Sequence, residues 1–315
     1  MVLKDMLNQL KYLSDCFAEN GIYDIYTNSK IYEVLMSEQF EHKLVNGHAY
    51  TPDAGDKLGN YYEYKHFKMS SSNHTWTFND YSVQTIQKLQ NIKSVFFSVI
   101  DDSFVTPQIA EVYCVTGKEV ARYLSINTPY IVNARRMINI SASQIVNQMS
   151  YERILIKNNE YSELLTSVFE SIYEIETELN VTGLLTSNKL WELLVACELG
   201  HNINTEQKKY DAVDLKGNTF EYKVTIRSPW TFQDISDNVL NSYLKDDGIV
   251  LATVDKRNFV VKRIYMCSSR AVVKVLQDRM YKKLQSGKEI RRLNAFIGMR
   301  DVRDMLERGD AKWLL

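Results

Sequence analysis

The chain has 315 residues, of which 45% are hydrophobic and 11% aromatic, and its formal net charge is −1. This composition suits a globular protein with a sizeable core, as one large or two modest domains, and 4 prolines and 12 glycines exclude a linker-rich, disordered chain. The balanced charge gives no overall basic signature for nucleic acid, although a local basic cleft is compatible with it.

The N-terminal segment and the cysteines favour a cytoplasmic protein. Residues 1–17 predict an amphipathic helix with interspersed charges, without the apolar core of a signal peptide. Apolar runs such as SVFFSVI at 94–100 have the length of strands, so we expect no membrane segment. The cysteines are scattered with no CxxC pair, and we interpret them as reduced core residues: Cys16, Cys114, Cys197 and Cys267.

The remaining elements are predicted twice, in the same order. The first half predicts a helix at 29–44, a hairpin at 52–65, a WTF loop, a helix at 80–92, strands at 95–101 and 109–115, and a helix at 117–125. The second half predicts a helix at 188–200, a hairpin at 210–223, a WTF loop, a helix at 234–245, strands at 249–255 and 259–267, and a helix at 269–284. This order favours an α/β fold with one mixed central sheet, flanked by helices, in each half.

The halves are also related in sequence. The hairpin PDAGDKLGNYYEYK at 52–65 and its counterpart YDAVDLKGNTFEYK at 210–223 share eight of thirteen positions from Asp53 and Asp211 onward. Five further matches follow the same order, at offsets between 152 and 159 residues. Six collinear matches indicate a duplicated domain. We therefore predict two tandem domains, 1–150 and 151–315, packed together because the junction at 146–165 has no flexible spacer.

Each hairpin gathers two carboxylates and a lysine. Folding the chain at its glycine turn places Asp211 across from Glu221, and strand alternation places Glu221 and Lys223 on one face. Asp53, Glu63 and Lys65 repeat the arrangement in the first half. Paired carboxylates suit Mg²⁺, and a lysine can stabilise a phosphorane-like transition state or help to orient and deprotonate water. This is equipment for phosphodiester hydrolysis; the alternative is a charged surface hairpin.

Two further pairs of acidic residues lie near the hairpins. Asp56 and Asp214 adjoin the turn, and we favour turn stabilisation over metal ligation for them. Glu33 and Glu192 occupy matching positions on the preceding helix. They are accessory candidates as outer partners of a metal, although an exposed helix glutamate is the interpretation that we favour.

The spacing D-x9-E-x-K resembles the motif of the PD-(D/E)xK nuclease superfamily, and residues 52–53 supply its PD. Within that superfamily, the form D-A-V-D-x-x-G-x-x-x-E-x-K and its flanking segments resemble PvuII-like type II restriction endonucleases, over most of both halves. The resemblance implies two restriction-endonuclease-like domains fused into a single-chain pseudo-dimer. It also implies Mg²⁺ as cofactor and double-stranded DNA as substrate.

The resemblance assigns roles at the hairpins. It implies metal ligation by Asp53, Glu63, Asp211 and Glu221, and it implies that Lys65 and Lys223 are the catalytic lysines. A helix tyrosine of the family is matched by Tyr243, whereas the first half carries Leu89 at this position.

The base-reading segment departs from the family, because no histidines follow its threonine. The residues at this position are Thr77, Asn79 and Asp80 in the first half, and Thr231, Gln233 and Asp234 in the second. Amide and carboxylate side chains suit base edges, whereas Asn79, Asp80 and Asp234 equally suit helix N-caps. Asp24 matches a minor-groove aspartate of the family, and Gly183 replaces it in the second half, which predicts that the halves read DNA differently.

The function predicted from the sequence is a sequence-specific double-stranded DNA endonuclease with one active site per half and per strand. We expect a monomer acting as a pseudo-dimer and a cognate DNA methyltransferase in the same system. The alternatives are a structure-specific or nicking repair nuclease of the same superfamily, a non-catalytic DNA-binding pseudo-nuclease, and an unrelated metal-binding module.

Overall fold

The first half of the chain alternates helices with the strands of one sheet. The structure, a computed structural model, describes residues 2–45, 51–79, 82–130, 137–206, 210–286 and 293–315. The elements of the first half are α1 (Val2–Glu19), α2 (Lys30–Gln39), β1 (Lys43–Leu44), β2 (Ala54–Gly55), β3 (Tyr61–Lys68), β4 (Trp76–Phe78), α3 (Val83–Gln90), β5 (Ser94–Asp101), β6 (Gln108–Thr116), α4 (Gly117–Asn127), a 3₁₀ turn (Thr128–Tyr130), β7 (Ile138–Ile140), α5 (Ala142–Gln148) and β8 (Tyr151–Ile154).

The second half repeats this order. Its elements are α6 (Glu163–Leu179), α7 (Lys189–Leu199), β9 (Asn202–Ile203), β10 (Ala212–Val213), β11 (Thr219–Thr225), β12 (Trp230–Phe232), α8 (Asp237–Tyr243), β13 (Gly248–Asp255), β14 (Val260–Cys267), α9 (Ser269–Gln285), β15 (Ala295–Ile297), α10 (Met299–Glu307) and β16 (Ala311–Trp313).

The two sheets have the same topology. The first has the strand order β1-β2-β3-β5-β6-β8 and the second the order β9-β10-β11-β13-β14-β16. In each, one parallel pair, β3 with β5 or β11 with β13, joins strands that are otherwise antiparallel. A two-stranded antiparallel ribbon accompanies each sheet, β4 with β7 and β12 with β15. The predicted mixed α/β organisation is confirmed.

The chain divides into two compact units. The N-terminal unit comprises Leu13–Ile25 and Ser29–Tyr173, and the C-terminal unit comprises Met1–Tyr12, Tyr26–Asn28 and Glu174–Leu315. Each unit therefore contains one complete sheet. The domain boundary at 150 stays a prediction, because compactness does not show which segment folds alone.

Each sheet is held by a buried central strand and a buried tryptophan. β5 and β13 are mostly apolar strands that are buried along nearly their whole length, as is typical of strands covered on both faces. Trp76 in the N-terminal unit and Trp230 in the C-terminal unit are fully buried. Their indole N–H groups donate to the carbonyls of Ser98 and Ala252, each at 2.8 Å. These contacts fix the WTF segments against the strands that adjoin the hairpins.

Some predicted helix boundaries are wrong. The helix predicted at 29–44 ends at Gln39, because Glu41 has φ of 54° and the chain then forms β1. The helices predicted from 80 and 234 begin at Val83 and Asp237.

Their N-caps are two serines, because the Ser82 and Ser236 hydroxyls accept hydrogen bonds from the third helical N–H. The N-cap alternative for Asn79 and Asp234 is therefore wrong, and Asp80 lies outside the described residues.

Two simpler expectations concern the cysteines and membranes. All four cysteines are free thiols; Cys267 is buried and the other three are half-buried. Among the described residues, no helix is long and apolar enough to cross a membrane.

Candidate active sites

The hairpin of β2 and β3 brings three of the predicted site residues together in the N-terminal unit. Its antiparallel register pairs Ala54 with Tyr62, so that Asp53 and Glu63 are the next residues of the two facing segments. Asp53 Oδ2 accepts a hydrogen bond from the backbone N–H of Tyr64 at 2.7 Å. Lys65 Nζ donates to Glu63 Oε1 at 2.8 Å. We call this group, with the neighbouring Glu33, the N-terminal centre.

The hairpin of β10 and β11 repeats this arrangement in the C-terminal unit. The register pairs Ala212 with Phe220, so that Asp211 and Glu221 are the next residues of the two facing segments. Asp211 Oδ2 accepts from the backbone N–H of Tyr222 at 2.9 Å, and Lys223 Nζ donates to Glu221 Oε1. With the neighbouring Glu192, this group is the C-terminal centre.

The tyrosine of each E-Y-K sequence lies on the opposite face of its strand, as alternation predicts. Tyr64 Oη is 2.8 Å from Nδ1 of His42, and Tyr222 Oη is 2.8 Å from Nδ1 of His201. Both tyrosines are buried. Because the tyrosine between them is held on one face of the strand, the glutamate and the lysine must extend from the opposite face.

Asp56 and Asp214 stabilise the hairpin turns, as predicted. The Asp56 carboxylate accepts hydrogen bonds from the backbone N–H groups of Leu58 and Asn60, and Asp214 repeats the pattern with residues 216 and 218. Hydrogen bonds, led by the one from the Asn60 side chain, lower the pKa of Asp56. This is the local carboxylate-to-backbone bonding expected of an aspartate in a turn.

Glu33 and Glu192 face the hairpin carboxylates, so the favoured interpretation as exposed helix glutamates is wrong. Their side chains retain 29% and 13% exposure. Burial, followed by the charge of Asp53, raises the pKa of Glu33 to about 7. Burial and the charge of Asp211 likewise raise the pKa of Glu192. Each centre therefore contains three mutually repelling carboxyl groups.

The hairpin glutamates differ electrostatically. Burial raises the pKa of Glu221 to about 7, although the Lys223 ammonium opposes the shift. At Glu63, burial acts in the same direction, but Lys65 and Lys88 outweigh it and lower the pKa. Burial, and next the charge of Glu63, raises the pKa of Asp53.

Lys65 and Lys223 are held as ammonium groups. Burial alone would lower their pKa values, but the surrounding carboxylates, led by Glu63 and Glu221, outweigh it and raise both. A lysine with a raised pKa does not take a proton from water near neutral pH. In the metal-free chain the raised pKa of both lysines suits the electrostatic role, and the predicted help in orienting and deprotonating water stays a prediction.

Lys88 is a component of the N-terminal centre that the sequence interpretation missed. Its Nζ lies 2.6 Å from Glu63 Oε2, and its side chain is 10% exposed. At the offset of 154 residues that aligns the two WTF segments, its counterpart is Ser242. A position-by-position comparison of the two halves would have shown that this lysine is present in one half and replaced by serine in the other.

The aromatic surroundings of the two lysines also differ. Lys65 Nζ is 5.2 Å from the ring centre of Phe78. Lys223 Nζ has an equivalent contact with a phenylalanine and also lies 5.7 Å from the ring centre of Tyr243. Tyr243 is thus placed at the C-terminal centre, whereas Leu89, its counterpart, belongs to the apolar core of the N-terminal unit. The predicted asymmetry at this position is present in the structure.

The candidate base-reading residues of the first half follow the WTF strand. Thr77 is half-buried in β4, where its hydroxyl donates to Asn139 Oδ1 at 2.8 Å. Asn79 is exposed directly after β4. Asp80 lies outside the described residues.

The equivalent residues of the second half are similarly placed. Thr231 and Gln233 are exposed. Asp234 is half-buried, with φ of 53°. In the segments that precede α2 and α7, Asp24 is exposed with φ of 58°, and its counterpart Gly183 has φ of 83°. Both halves thus keep a left-handed backbone conformation at this position, although one has an aspartate and the other a glycine.

The donor chemistry of both centres fits Mg²⁺. Each offers carboxylate oxygens, the ligands that this hard ion prefers. In the described part of the chain, Oε2 of Glu63 and Oε2 of Glu192 are buried, and each is paired with a lysine ammonium, Lys88 Nζ at 2.6 Å and Lys189 Nζ at 2.8 Å. Across those same residues, no group of three or more histidine, cysteine, aspartate or glutamate side chains is arranged to hold a metal ion. A Mg²⁺ site here would therefore use two carboxylates, with water and substrate phosphate as further ligands.

Comparisons with known proteins add no family to this description. No protein-family model matches the chain, and no curated protein is significantly similar to it.

Proposed function

We propose that the chain is a Mg²⁺-dependent endonuclease of the PD-(D/E)xK superfamily that cuts double-stranded DNA. One observation carries the proposal: both units place an aspartate opposite a glutamate, with a lysine on the glutamate's face. If only one such hairpin were present, its charged residues could be explained as solvent-exposed surface residues. Two hairpins that keep these residues half-buried or buried, while their neighbours in the sequence differ, support a shared chemical task.

The chain's own residues have distinct roles in this reaction. Asp53 with Glu63, and Asp211 with Glu221, would hold Mg²⁺, which when bound polarises phosphoryl oxygens and lowers the pKa of water. The carboxylates that raise the pKa of Lys65 and Lys223 in the metal-free chain support an ammonium form for both lysines. Each ammonium stabilises the extra negative charge that the phosphate acquires when water attacks phosphorus and the sugar oxygen leaves.

Two centres in one chain match the two strands of a duplex. We propose a restriction-type enzyme that works as a single-chain pseudo-dimer, in which each half cuts one strand. Asn79 and Gln233 follow equivalent strands and are exposed, which supports contact with base edges. Because these residues differ, the two half-sites need not be identical. An enzyme of this kind requires a cognate DNA methyltransferase in the same cytoplasm, and we include this partner in the proposal.

Digestion of supercoiled plasmids tests the assignment. The plasmids should be long and of mixed sequence, because the target is to be found by mapping the cut ends. In Mg²⁺ the unaltered chain should produce linear DNA. Lys65→Ala and Lys223→Ala should each stop at nicked circles, with cleavage of one strand slowed on the order of a hundredfold or more. The double variant should leave the plasmid supercoiled.

Matched controls come from the turns of the same hairpins. Lys57 and Lys216 are exposed lysines there, and their alanine variants should linearise the plasmid at the unaltered rate. If Lys65→Ala or Lys223→Ala also linearises at that rate, the two-centre assignment is wrong. If the unaltered chain cuts only at mismatches or junctions, the repair-nuclease alternative replaces restriction. If it binds DNA but never cuts, the chain is a non-catalytic binding protein.

A further inference from the structure

The two centres differ in charge, although their hairpins match. Among the residues that the structure describes, each contains three carboxylates and two equivalent lysines, and the N-terminal centre has a third lysine. The N-terminal set is Glu33, Asp53, Glu63, Lys30, Lys65 and Lys88; the C-terminal set is Glu192, Asp211, Glu221, Lys189 and Lys223. With every group ionised, the first set is neutral and the second carries one negative charge.

Lys88 takes up a specific place in the N-terminal centre. It extends from α3 so that its Nζ is 2.6 Å from Glu63 Oε2, while Lys65 Nζ is 2.8 Å from Oε1. Both oxygens of the glutamate therefore face an ammonium group. In the C-terminal unit, Ser242 is exposed, and its hydroxyl donates to Val239 O of its own helix.

Lys30 and Lys189 do not account for the difference, because they are equivalent residues. Lys189 Nζ lies 2.8 Å from Glu192 and 2.5 Å from Asp211, and Lys30 Nζ lies 3.7 Å from Glu33. Each adds the same formal charge to its centre, although Lys189 contacts both the helix glutamate and the hairpin aspartate, whereas the contact of Lys30 is with the helix glutamate.

A further acidic residue increases the contrast. Asp246 lies near Asp211, and after burial the charge of Asp211 contributes to the raised pKa of Asp246. At the same offset of 154 residues, the N-terminal unit has the buried, uncharged Ile92.

We propose that Lys88 is a built-in cation that weakens divalent-metal binding at the N-terminal centre, so that the C-terminal centre loads Mg²⁺ first and the two strands are cut in a fixed order. The order of cutting rests on the proposed nuclease function, whereas the order of metal loading does not. A positive charge a few ångströms from a divalent ion, in a partly buried site, weakens its binding on the order of ten- to a hundredfold. At limiting Mg²⁺, the product is then a nicked circle, cut by the C-terminal centre.

Calorimetric titration of the full chain with Mn²⁺ alone, and with Mg²⁺ in competition, tests the loading order without DNA. The unaltered chain should show a tight and a weak site whose affinities differ at least about tenfold. Asp211→Asn should remove the tight site and Asp53→Asn the weak one. Lys88→Ser, which copies the other half, should bring the two affinities together. Lys88→Arg should keep them apart, because it retains the charge.

The reciprocal variant does not depend on the folding of an altered N-terminal unit. Ser242→Lys, at an exposed position, should weaken the tight site by a similar factor. Equal affinities in the unaltered chain, or isotherms that neither Lys88→Ser nor Ser242→Lys changes, overturn the proposal. Loss of the difference in Lys88→Arg also overturns it, because packing rather than charge would then be responsible.

The outcomes separate this inference from the proposed function. Two unequal metal sites in a chain that never cuts DNA would overturn the nuclease proposal and the order of cutting but leave the loading order standing. DNA cutting with equal metal sites would overturn the inference alone. Absence of metal binding at both centres would overturn both.

Discussion

The raised pKa of Glu33 predicts a pH-dependent loss of stability in the metal-free chain. Burial and the charge of Asp53 raise this pKa from 4.5 to about 7. The folded chain therefore holds the proton more tightly than the unfolded chain does. Stability is greatest below the unfolded pKa, falls as the pH rises between the two values, and reaches its lower limit above pH 7.

The size of the effect follows from the shift. One pKa unit corresponds to about 1.4 kcal/mol, so the shift at Glu33 amounts to about 3 kcal/mol over the whole range. Because pH 5 already lies above the unfolded value, the interval from pH 5 to pH 8 contributes about 2 kcal/mol. Glu33→Gln keeps the shape of the side chain and cannot ionise. It should therefore stabilise the chain by about 2 kcal/mol more at pH 8 than at pH 5.

Urea unfolding in EDTA, followed by tryptophan fluorescence at both pH values, measures this difference. EDTA is needed because a bound divalent ion would offset the repulsion. Glu170→Gln, an exposed glutamate of α6 in the same unit, is the control and should have equal effects at both pH values. If Glu33→Gln also changes the free energy of unfolding equally at the two pH values, Glu33 ionises in the folded chain as it does in the unfolded one, and the electrostatic description of the N-terminal centre is wrong.

Two further predictions concern packing and use the same unfolding measurement. Gly117→Ala should destabilise the chain by about 3 kcal/mol, because a Cβ there would lie 2.2 Å from the carbonyl oxygen of Leu89. Ser269→Ala, at the equivalent position of the other half, loses only one hydrogen bond and should destabilise the chain by about 1 kcal/mol. Equal losses of stability in the two variants would contradict the close contact between Gly117 and Leu89. Trp230→Phe should cost about 2 kcal/mol, because it removes the indole donor to the buried carbonyl of Ala252; a cost near zero would mean that this hydrogen bond does not hold the WTF segment.

The hairpin geometry was predictable because it depends on local rules. A glycine turn fixes which residues face each other, and a period of two fixes the face on which each side chain emerges. Asp211 opposite Glu221, with Lys223 beside Glu221, follows from these rules alone. The buried central strands were equally predictable, since a short, mostly apolar segment such as SVFFSVI is stable only where it is buried in the core.

Helix starts were harder, because several capping residues stand side by side. In the sequence NDYS, three residues can cap a helix, and only the backbone path selects among them. The chain places Ser82 and Ser236 where the hydroxyl meets the third helical N–H. Asp234, two residues earlier, has a positive φ instead. The local sequence contains the possible N-cap residues, but the backbone turn that determines which of them caps the helix depends on the neighbouring two-stranded ribbon.

Contacts between distant segments were not predictable from either segment. Glu33 looked like an exposed helix residue because its partner Asp53 lies on a hairpin twenty residues away. Lys88 likewise reads as a surface lysine of an amphipathic helix until α3 is placed beside Glu63. In both cases the sequence specifies the charge, and the tertiary fold decides which charges share a centre.

The duplication supplies an internal test of which charges matter. The hairpin aspartate, glutamate and lysine, the helix glutamate, and the lysine three residues before it are all kept in both halves. Lys88 is not, although it contacts the same glutamate as a retained lysine does. Under the proposed nuclease function, a shared reaction would explain the retained groups, because each strand of a duplex presents the same phosphodiester. The proposed difference in metal loading would explain the altered one, because it changes the occupancy of a centre while leaving the hairpin groups in place.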